Sequence, residues 1–502
     1  MRTFVLATVL LYGGLAHAQD LQRGLKAYEG GQYAEAAAQF YEVLARDTVE
    51  DKRDTAEVYL ADCLKRLGLY VPAYFYYRDL FEAGPKNRFY LAAIAGLLDV
   101  RDALHDHLYV AIALDEHYDP QAFGQLDKAQ AERVNFIIGE LSFRQRKYTE
   151  AQRFLEAVTP ESVEYSKARY LLGVLAARAG DNQRARGHFM AVRGHVKADS
   201  KNSSASRERD LALIAAARSS YALGEYAEAS KLYEEVPRAS EQWFTAIYET
   251  SWAHFRDNDF GRAMGDVESV LSPYFARRHV PEVWVVRATT YFVNCQWDRV
   301  RATYDVYRRT YEPMTAELER YLGGERAPAT YYRDILAEGA KLYAPELARE
   351  VRRGQRFKDF HFELQHMAWE SRAIAGIAAW GNQRIGRDLR RIIDEQRGEL
   401  EAALGRHVVA QLRYLQDNLK NFTTQMRILD FEVADAERNW LEQGREILKN
   451  RRGRLPRPEI PSDAWQHWSQ RKEVWLDELG YYRHTLRSEC LRADEEVREA
   501  SR

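Results

Sequence analysis

A phrase of small, aromatic and apolar residues returns after a fixed interval. Gly139, Tyr148, Ala151, Leu155 and Val158 are followed 34 residues later by Gly173, Asn182, Ala185, Phe189 and Val192. That interval accommodates two helices and their turns, and so short a unit cannot bury its apolar face alone. It has to stack on its neighbours, so the chain is expected to be an array. Arrays of this kind build extended surfaces that hold other molecules, which directs attention to partners before reactions.

Packing explains the residue types. A small residue midway along the first helix lets the second lie close, and Gly or a polar residue ends the first helix and makes the turn. An aromatic residue two positions on starts the second helix. Ala sits at the closest helix approach, and a large apolar residue four further on fills the space between repeats. Seven stretches keep this register. The first runs through Gly24, Gly31, Tyr33, Ala36 and Phe40, and the second through Ala61, Gly68, Tyr70, Ala73 and Tyr77. The third and fourth are the pair above. The fifth has Ala217, Gly224, Tyr226, Ala229 and Tyr233; the sixth Ser251, Phe260, Ala263 and Val267; the seventh Ala288, Trp297, Val300 and Tyr304. Residues 88–131 keep a helical pattern with a degraded phrase, and Ala111 anchors a weak eighth hairpin there. From Gly194 to Arg209 a polar stretch reads as a mobile loop. The phrase stops near Pro313.

These residues and offsets resemble the tetratricopeptide repeat family over about residues 20–313. The resemblance implies an all-α fold, a superhelix of helical hairpins over 19–313 followed by a helical, coiled-coil C-terminal region. It also implies that the first helix of each hairpin lines a groove. The thirteenth repeat position is Arg66, Arg144, Arg178 and Arg256 in four of the seven repeats, with Tyr170, Tyr248 and Trp252 at neighbouring groove positions. Arg captures carboxylate bidentately, and some family members hold a partner's terminal carboxylate or an acidic segment in this way. The bland alternative is that exposed helix ends simply favour Arg.

The start of the chain has a different character. Arg2 precedes an apolar run from Phe4 to Leu15, and Ala16-His17-Ala18 has the small-x-small form of a cleavage site. Residues 1–18 read as a signal peptide, with Gln19 as the mature N-terminus and no lipoprotein cysteine behind it. No later run is apolar enough to span a bilayer. The expectation is an exported, periplasmic protein without a transmembrane segment in the mature chain, either free or peripheral to a membrane. With 73 basic and 75 acidic residues, no global field favours nucleic acid.

Beyond the array, Val408, Leu412, Leu415, Leu419, Phe422, Met426, Leu429, Val433, Ala436 and Trp440 step by threes and fours, an a/d seam within long helices over 314–449. Phe360, Leu364, Met367, Ile374 and Ile377 suggest a partner helix in the same chain; the alternative is a homodimer through the coiled coil. A basic, Pro-rich linker follows over 450–462. Trp465, Trp468, Trp475, Leu479, Tyr482 and Leu486 then place an aromatic helix over 463–502 that docks back on the body.

The residues assemble no reaction centre. No HExxH, GxSxG or GxxxxGK[ST] is present, and His361 and His366 are five apart rather than the four that share a face. No catalytic residue, metal site or cofactor is assigned. Cys63, Cys295 and Cys490 are too few for a disulfide scaffold and read as buried or free thiols, with one long-range disulfide as the alternative. Pro281-Glu-Val-Trp, Tyr291-Phe-Val-Asn-Cys-Gln-Trp and Trp475-Leu-Asp-Glu-Leu-Gly-Tyr-Tyr resemble segments of periplasmic tetratricopeptide proteins of delta-proteobacteria. That group includes components of the adventurous gliding motility machinery. The resemblance implies a scaffold that assembles other envelope proteins; a cell-wall-acting enzyme on a helical solenoid and a coiled-coil spacer are the competing classes.

Overall fold

The computed structural model describes residues 21–105, 109–197, 203–337, 344–381, 383–442, 460, 462–467, 474–486 and 488–490. The expected signal peptide and most of the expected linker lie outside them. Every regular element among the described residues is helical, as the pattern required.

Eight hairpins follow in chain order. They are α1 (21–29) with α2 (Tyr33–Arg46), α3 (Glu50–Arg66) with α4 (Tyr70–Glu82), and α5 (Tyr90–Leu104) with α6 (Tyr109–Glu116). After the short α7 (Pro120–Phe123) come α8 (Lys128–Arg144) with α9 (Tyr148–Glu156), and α10 (Tyr165–Arg178) with α11 (Asn182–His195). The last three are α12 (Ser203–Ala222) with α13 (Tyr226–Glu234), α14 (Trp243–Arg256) with α15 (Phe260–Val270), and α16 (Pro281–Val293) with α17 (Trp297–Leu322). The degraded stretch 88–131 is therefore a hairpin, with Ala111 buried.

One turn chemistry makes seven of these eight hairpins. Two residues before the second helix the backbone is left-handed, at Gly31, Gly68, Gly180 and Gly224 and equally at Arg146, Asn258 and Cys295. The next N–H then returns to a carbonyl five residues back: Gln32 to Ala27, Leu69 to Leu64, Lys147 to Ser142, Asp181 to Ala176, Glu225 to Ser220, Asp259 to His254 and Gln296 to Tyr291, at 2.8–3.0 Å. This closure satisfies the orphan carbonyls of the first helix and fixes where the second one starts. Close helix approach is also as the phrase implied. A Cβ at Gly139 or Gly173 would overlap Leu155 or Phe189, the large residue of the same repeat.

The chain divides into two compact units. One holds residues 1–164, 326–333 and 352–408, and the other 165–325, 334–351 and 409–502. The C-terminal helices are thus shared between the units rather than forming the separate region expected at 314–449. After the short α18 (Pro328–Leu336) and α19 (Pro345–Arg353) come α20 (Gln355–Gly376) and α21 (Arg384–Glu442); in the first unit, α20 and the start of α21 pack on the early hairpins. Trp380 Nε1 donates to the Ala34 carbonyl at 2.8 Å, the Tyr41 hydroxyl meets Asp388, and His366 stacks on Tyr70. In the second unit, the later part of α21 runs antiparallel to α17. Lys420 pairs with Glu319 at 2.8 Å and Arg427 with Glu312 at 2.8 Å, while both guanidinium ends of Arg301 reach Glu437 at 2.5 and 2.6 Å.

This corrects the expected partner of the seam. Leu412, Leu415, Leu419, Met426 and Val433 are buried, but their stretch of α21 faces α17 rather than the Phe360–Ile377 segment. Tyr307 sits at that contact, its hydroxyl 3.2 Å from Thr423 Oγ1. Two other boundaries move. Helix α17 continues through Pro313, whose missing N–H falls on an exposed face. Helix α12 begins at Ser203, so the polar stretch 194–209 is helical over its last seven residues.

The expected aromatic helix at 463–502 is not an α-helix over the described residues 463–467, 474–486 and 488; Glu489 and Cys490 are the α-helical ones among the described residues there. A single 3-10 turn, Leu476–Glu478, runs into a turn at 479–480 and then chain without regular secondary structure over 481–486. Gly480 takes φ +84°, which ends any helix there; the Tyr481 N–H closes the turn on the Glu478 carbonyl, and the Gly480 and His484 N–H groups donate to Ser269 and Gly261 of α15. Trp468 lies outside the described residues.

Candidate partner-binding face

The first helices of hairpins in the second unit bring a continuous set of polar and aromatic side chains together. Arg218 on α12 reaches Glu249 on α14 through two parallel bonds, Nε to Oε2 at 2.7 Å and Nη2 to Oε1 at 2.5 Å. The Tyr233 hydroxyl donates to the same Glu249 Oε2 at 2.9 Å. One hairpin further, Trp252 Nε1 donates to Glu282 Oε1 on α16 at 3.0 Å. Burial and the Glu282 carboxylate push the Tyr248 phenol up, so it stays protonated and can donate. Burial, then Glu249, does the same for Tyr233.

Tyr170, Tyr248 and Trp252, three residues the register nominated, are half-buried and belong to this unit. Tyr170 packs its ring against Phe189 at 5.4 Å, and the Trp252 ring stands edge-on to Phe255 at 5.8 Å. The polar atoms of Tyr248 and Trp252 are occupied by Glu282, and all three side chains stay partly accessible. Register alone did not nominate Arg218, Glu249 and Glu282. The usable signal was spacing, because Arg218 and Glu249 lie 31 residues apart and Trp252 and Glu282 lie 30 apart, about one repeat.

The four nominated arginines share a place: each is the last residue of its helix, at the ends of α3, α8, α10 and α14. There a cation meets the negative end of the helix dipole. All four are exposed. Their partners differ. Arg66 lies over the rings of Tyr28 (5.6 Å) and Tyr33 (5.2 Å) and pairs with Asp62 at 2.6 Å. Arg256 lies over Tyr226 at 5.0 Å and donates to its hydroxyl at 2.6 Å. Tyr33 and Tyr226 each start the second helix of the preceding hairpin, and Tyr28 lies on the first helix of the same hairpin as Tyr33, so these two guanidinium groups join successive repeats. Arg144 pairs with Glu140 one helical turn back, at 2.9 Å. Arg66 and Arg144 belong to the first unit, Arg178 and Arg256 to the second.

A separate open cavity of about 640 Å³ is lined by Arg186, Met190, Tyr226, Lys231 and Asp257; none of the nominated residues lines it. Among the described residues, no group of three or more His, Cys, Asp or Glu side chains is placed to hold a metal ion. No helix among them is long and apolar enough to cross a membrane.

No family model matches the sequence, and no curated protein matches it. Similar solved structures include a tetratricopeptide repeat protein from Parabacteroides merdae, 14% identical with a TM-score of 0.27, covering 59% of this chain and 94% of that one. The tetratricopeptide domain of P58(IPK) is 16% identical with a TM-score of 0.19, covering 76% and 99%. Yeast Tom70 is 13% identical with a TM-score of 0.21, covering 85% and 99%. The repeat assignment rests on the chain's own hairpins, with their common turn and common packing positions.

Proposed function

We propose that this chain is an exported protein–protein interaction scaffold that assembles a complex of envelope proteins, in the manner of a component of a gliding-motility machinery. The observation that carries the scaffold reading is the face just described, where α10, α12, α14 and α16 present Tyr170, Arg218, Glu249, Tyr248, Trp252 and Glu282 from successive hairpins. Partly accessible aromatic rings, those of Tyr248 and Trp252 with their polar atoms already held by Glu282, offer apolar contact at low entropic cost. In this reading Arg66, Arg144, Arg178 and Arg256 supply cations for an acidic or C-terminal carboxylate segment of the partner, and Tyr170, Tyr248 and Trp252 supply the apolar contacts.

Export is supported by the leader-like residues 1–18 and by the Cys295–Cys490 disulfide, a bond that persists in oxidising compartments. The motility role is supported by sequence resemblance alone. A homodimer through α21 would have to use surface other than Val408, Leu412, Leu415, Leu419, Met426 and Val433 of the seam, which are buried within the chain.

Cross-linking and affinity capture from native envelopes test the reading. Recovery of a defined membrane-associated complex that is lost on Tyr248→Ala/Trp252→Ala and on Arg144→Glu/Arg178→Glu is the expected result. Capture unchanged by both double variants would remove the face from the proposal. A cytoplasmic protein retaining residues 1–18 would remove export.

A further inference from the structure

The last described residues of the chain are docked. Leu479 is completely buried among Phe244, Ile247, Val267, Phe275 and Val283. The Gly480 N–H donates to Ser269 Oγ at 2.9 Å. The His484 N–H donates to the Gly261 carbonyl at 2.9 Å, and the Glu489 N–H to the Asn294 carbonyl at 3.0 Å. Arg238 lies over the Tyr481 ring at 4.6 Å. Three backbone donors of this stretch thus go to α15 and to the C-cap of α16.

The floor under it is specific. Gly261, Gly265 and Ser269 follow at intervals of four on α15 and share one face. A Cβ at 265 would fall on the Tyr482 carbonyl, and one at 261 would press on the His484 carbonyl at 3.1 Å. Only small residues there let the segment's backbone come this close. Beyond the groove, Cys490 is bonded to Cys295, the left-handed residue of the last hairpin turn. Both cysteines are partly exposed.

We propose that Gly261, Gly265 and Ser269 form a peptide groove that the chain fills with its own Leu479–His484 segment, and that the Cys295–Cys490 disulfide is the latch that keeps it filled. Opened, the groove takes the same Leu-Gly segment in trans from a second copy, since that is the sequence it already fits. The floor of the groove lies on α15, while Leu479 also packs on Phe244 and Ile247 of α14, in the core cluster against which Tyr248 and Trp252 of the partner-binding face are packed.

The opening step is thiol–disulfide exchange with a dithiol. One thiolate of the dithiol attacks a sulfur of the pair, forming a mixed disulfide and releasing the other cysteine. Its second thiolate then displaces the remaining protein sulfur. Two electrons pass to the protein, Cys295 and Cys490 end protonated as thiols, and the dithiol leaves as a cyclic disulfide.

The test uses the full chain and a fluorescent synthetic peptide of residues 474–490 carrying Cys490→Ser. Peptide binding is followed by anisotropy with the oxidised protein, the protein reduced by dithiothreitol, and the Cys490→Ser protein. At least tenfold tighter binding to the reduced and Cys490→Ser proteins is expected, with loss when the peptide carries Leu479→Ala. Amide exchange at Gly480 and His484 should also be at least tenfold faster without the disulfide. Circular dichroism of the Cys490→Ser protein checks that the repeats remain folded. Equal affinity for oxidised and reduced protein, or no binding to either, overturns the latch. Binding that survives Leu479→Ala overturns the groove.

Discussion

Glu370 caps a helix that begins 300 residues before it: its Oε1 accepts the Tyr70 N–H at 2.7 Å and the Val71 N–H at 3.1 Å. The residue preceding α4 in sequence is Leu69, which offers no capping side chain. Glu370 is completely buried; burial raises its carboxyl, while His366 and the two backbone N–H groups pull it back down. Glu370→Ala would leave two helix N–H groups and His366 without this acceptor, at a cost of about 2–3 kcal/mol. Glu370→Gln keeps one acceptor oxygen and should cost less. Urea denaturation of both variants, with amide exchange at Tyr70 and Val71, measures the difference; equal stability of Glu370→Ala and wild type would remove the cap from the account.

Gly173 lies beneath Phe189 so closely that an added methyl would overlap the ring. Gly173→Ala gains helix propensity of about 1 kcal/mol, but overpacking at a buried contact costs about 1–3 kcal/mol. Net destabilisation is expected, and Phe189→Leu in the same chain should restore part of it. A stabilised Gly173→Ala variant would mean that the two helices can part without penalty.

The hairpins were legible because their defining contacts are local. Gly173 and Phe189 are 16 residues apart, and the turn closes over a few residues, so both recur in the sequence at one period. Glu370 on Tyr70 and Asp388 on Tyr41 have no such period, and nothing in the spacing of α20 pointed to them. The seam on α21 was legible as a buried stripe, but a stripe does not name the surface that covers it. At the tail, Trp475, Leu479, Tyr482 and Leu486 fit helical spacing, and the Gly261–Gly265–Ser269 floor that holds the segment lies more than 200 residues away. On the candidate face, register found the aromatics and missed the Arg218–Glu249 pair, because charged residues occur at many helix positions for solubility alone.

The helix-end arginines should separate into two kinds. Arg66 and Arg256 stack on tyrosines of the preceding hairpin, so Arg66→Ala and Arg256→Ala should each lose about 1 kcal/mol of stability. Arg144 makes an exposed pair one helical turn away, and its replacement by Glu should change stability by less than about 1 kcal/mol. Denaturation and partner capture on the same variants read both effects. The proposed function expects Arg144→Glu with Arg178→Glu to weaken capture while leaving the unfolding midpoint in place. A drop in capture only for variants that also lose stability would make these arginines structural.

Glu57 makes the first unit sensitive to pH. Burial foremost, then Asp79 and Asp54, push its carboxyl up to about 7 from an ordinary value of 4.5, with Arg53 opposing. A carboxyl raised on folding favours the protonated native state. Its contribution is fully present below about pH 4.5 and is lost as pH rises through about 7. Glu57→Gln removes the titration while keeping a neutral side chain of the same size. The variant should match wild type at pH 4, gain on it between pH 4.5 and 7, and remain more stable by on the order of 2 kcal/mol above that. Thermal melts of the two proteins across pH 4–8 decide the matter: curves that run parallel throughout would place the Glu57 carboxyl near its ordinary value.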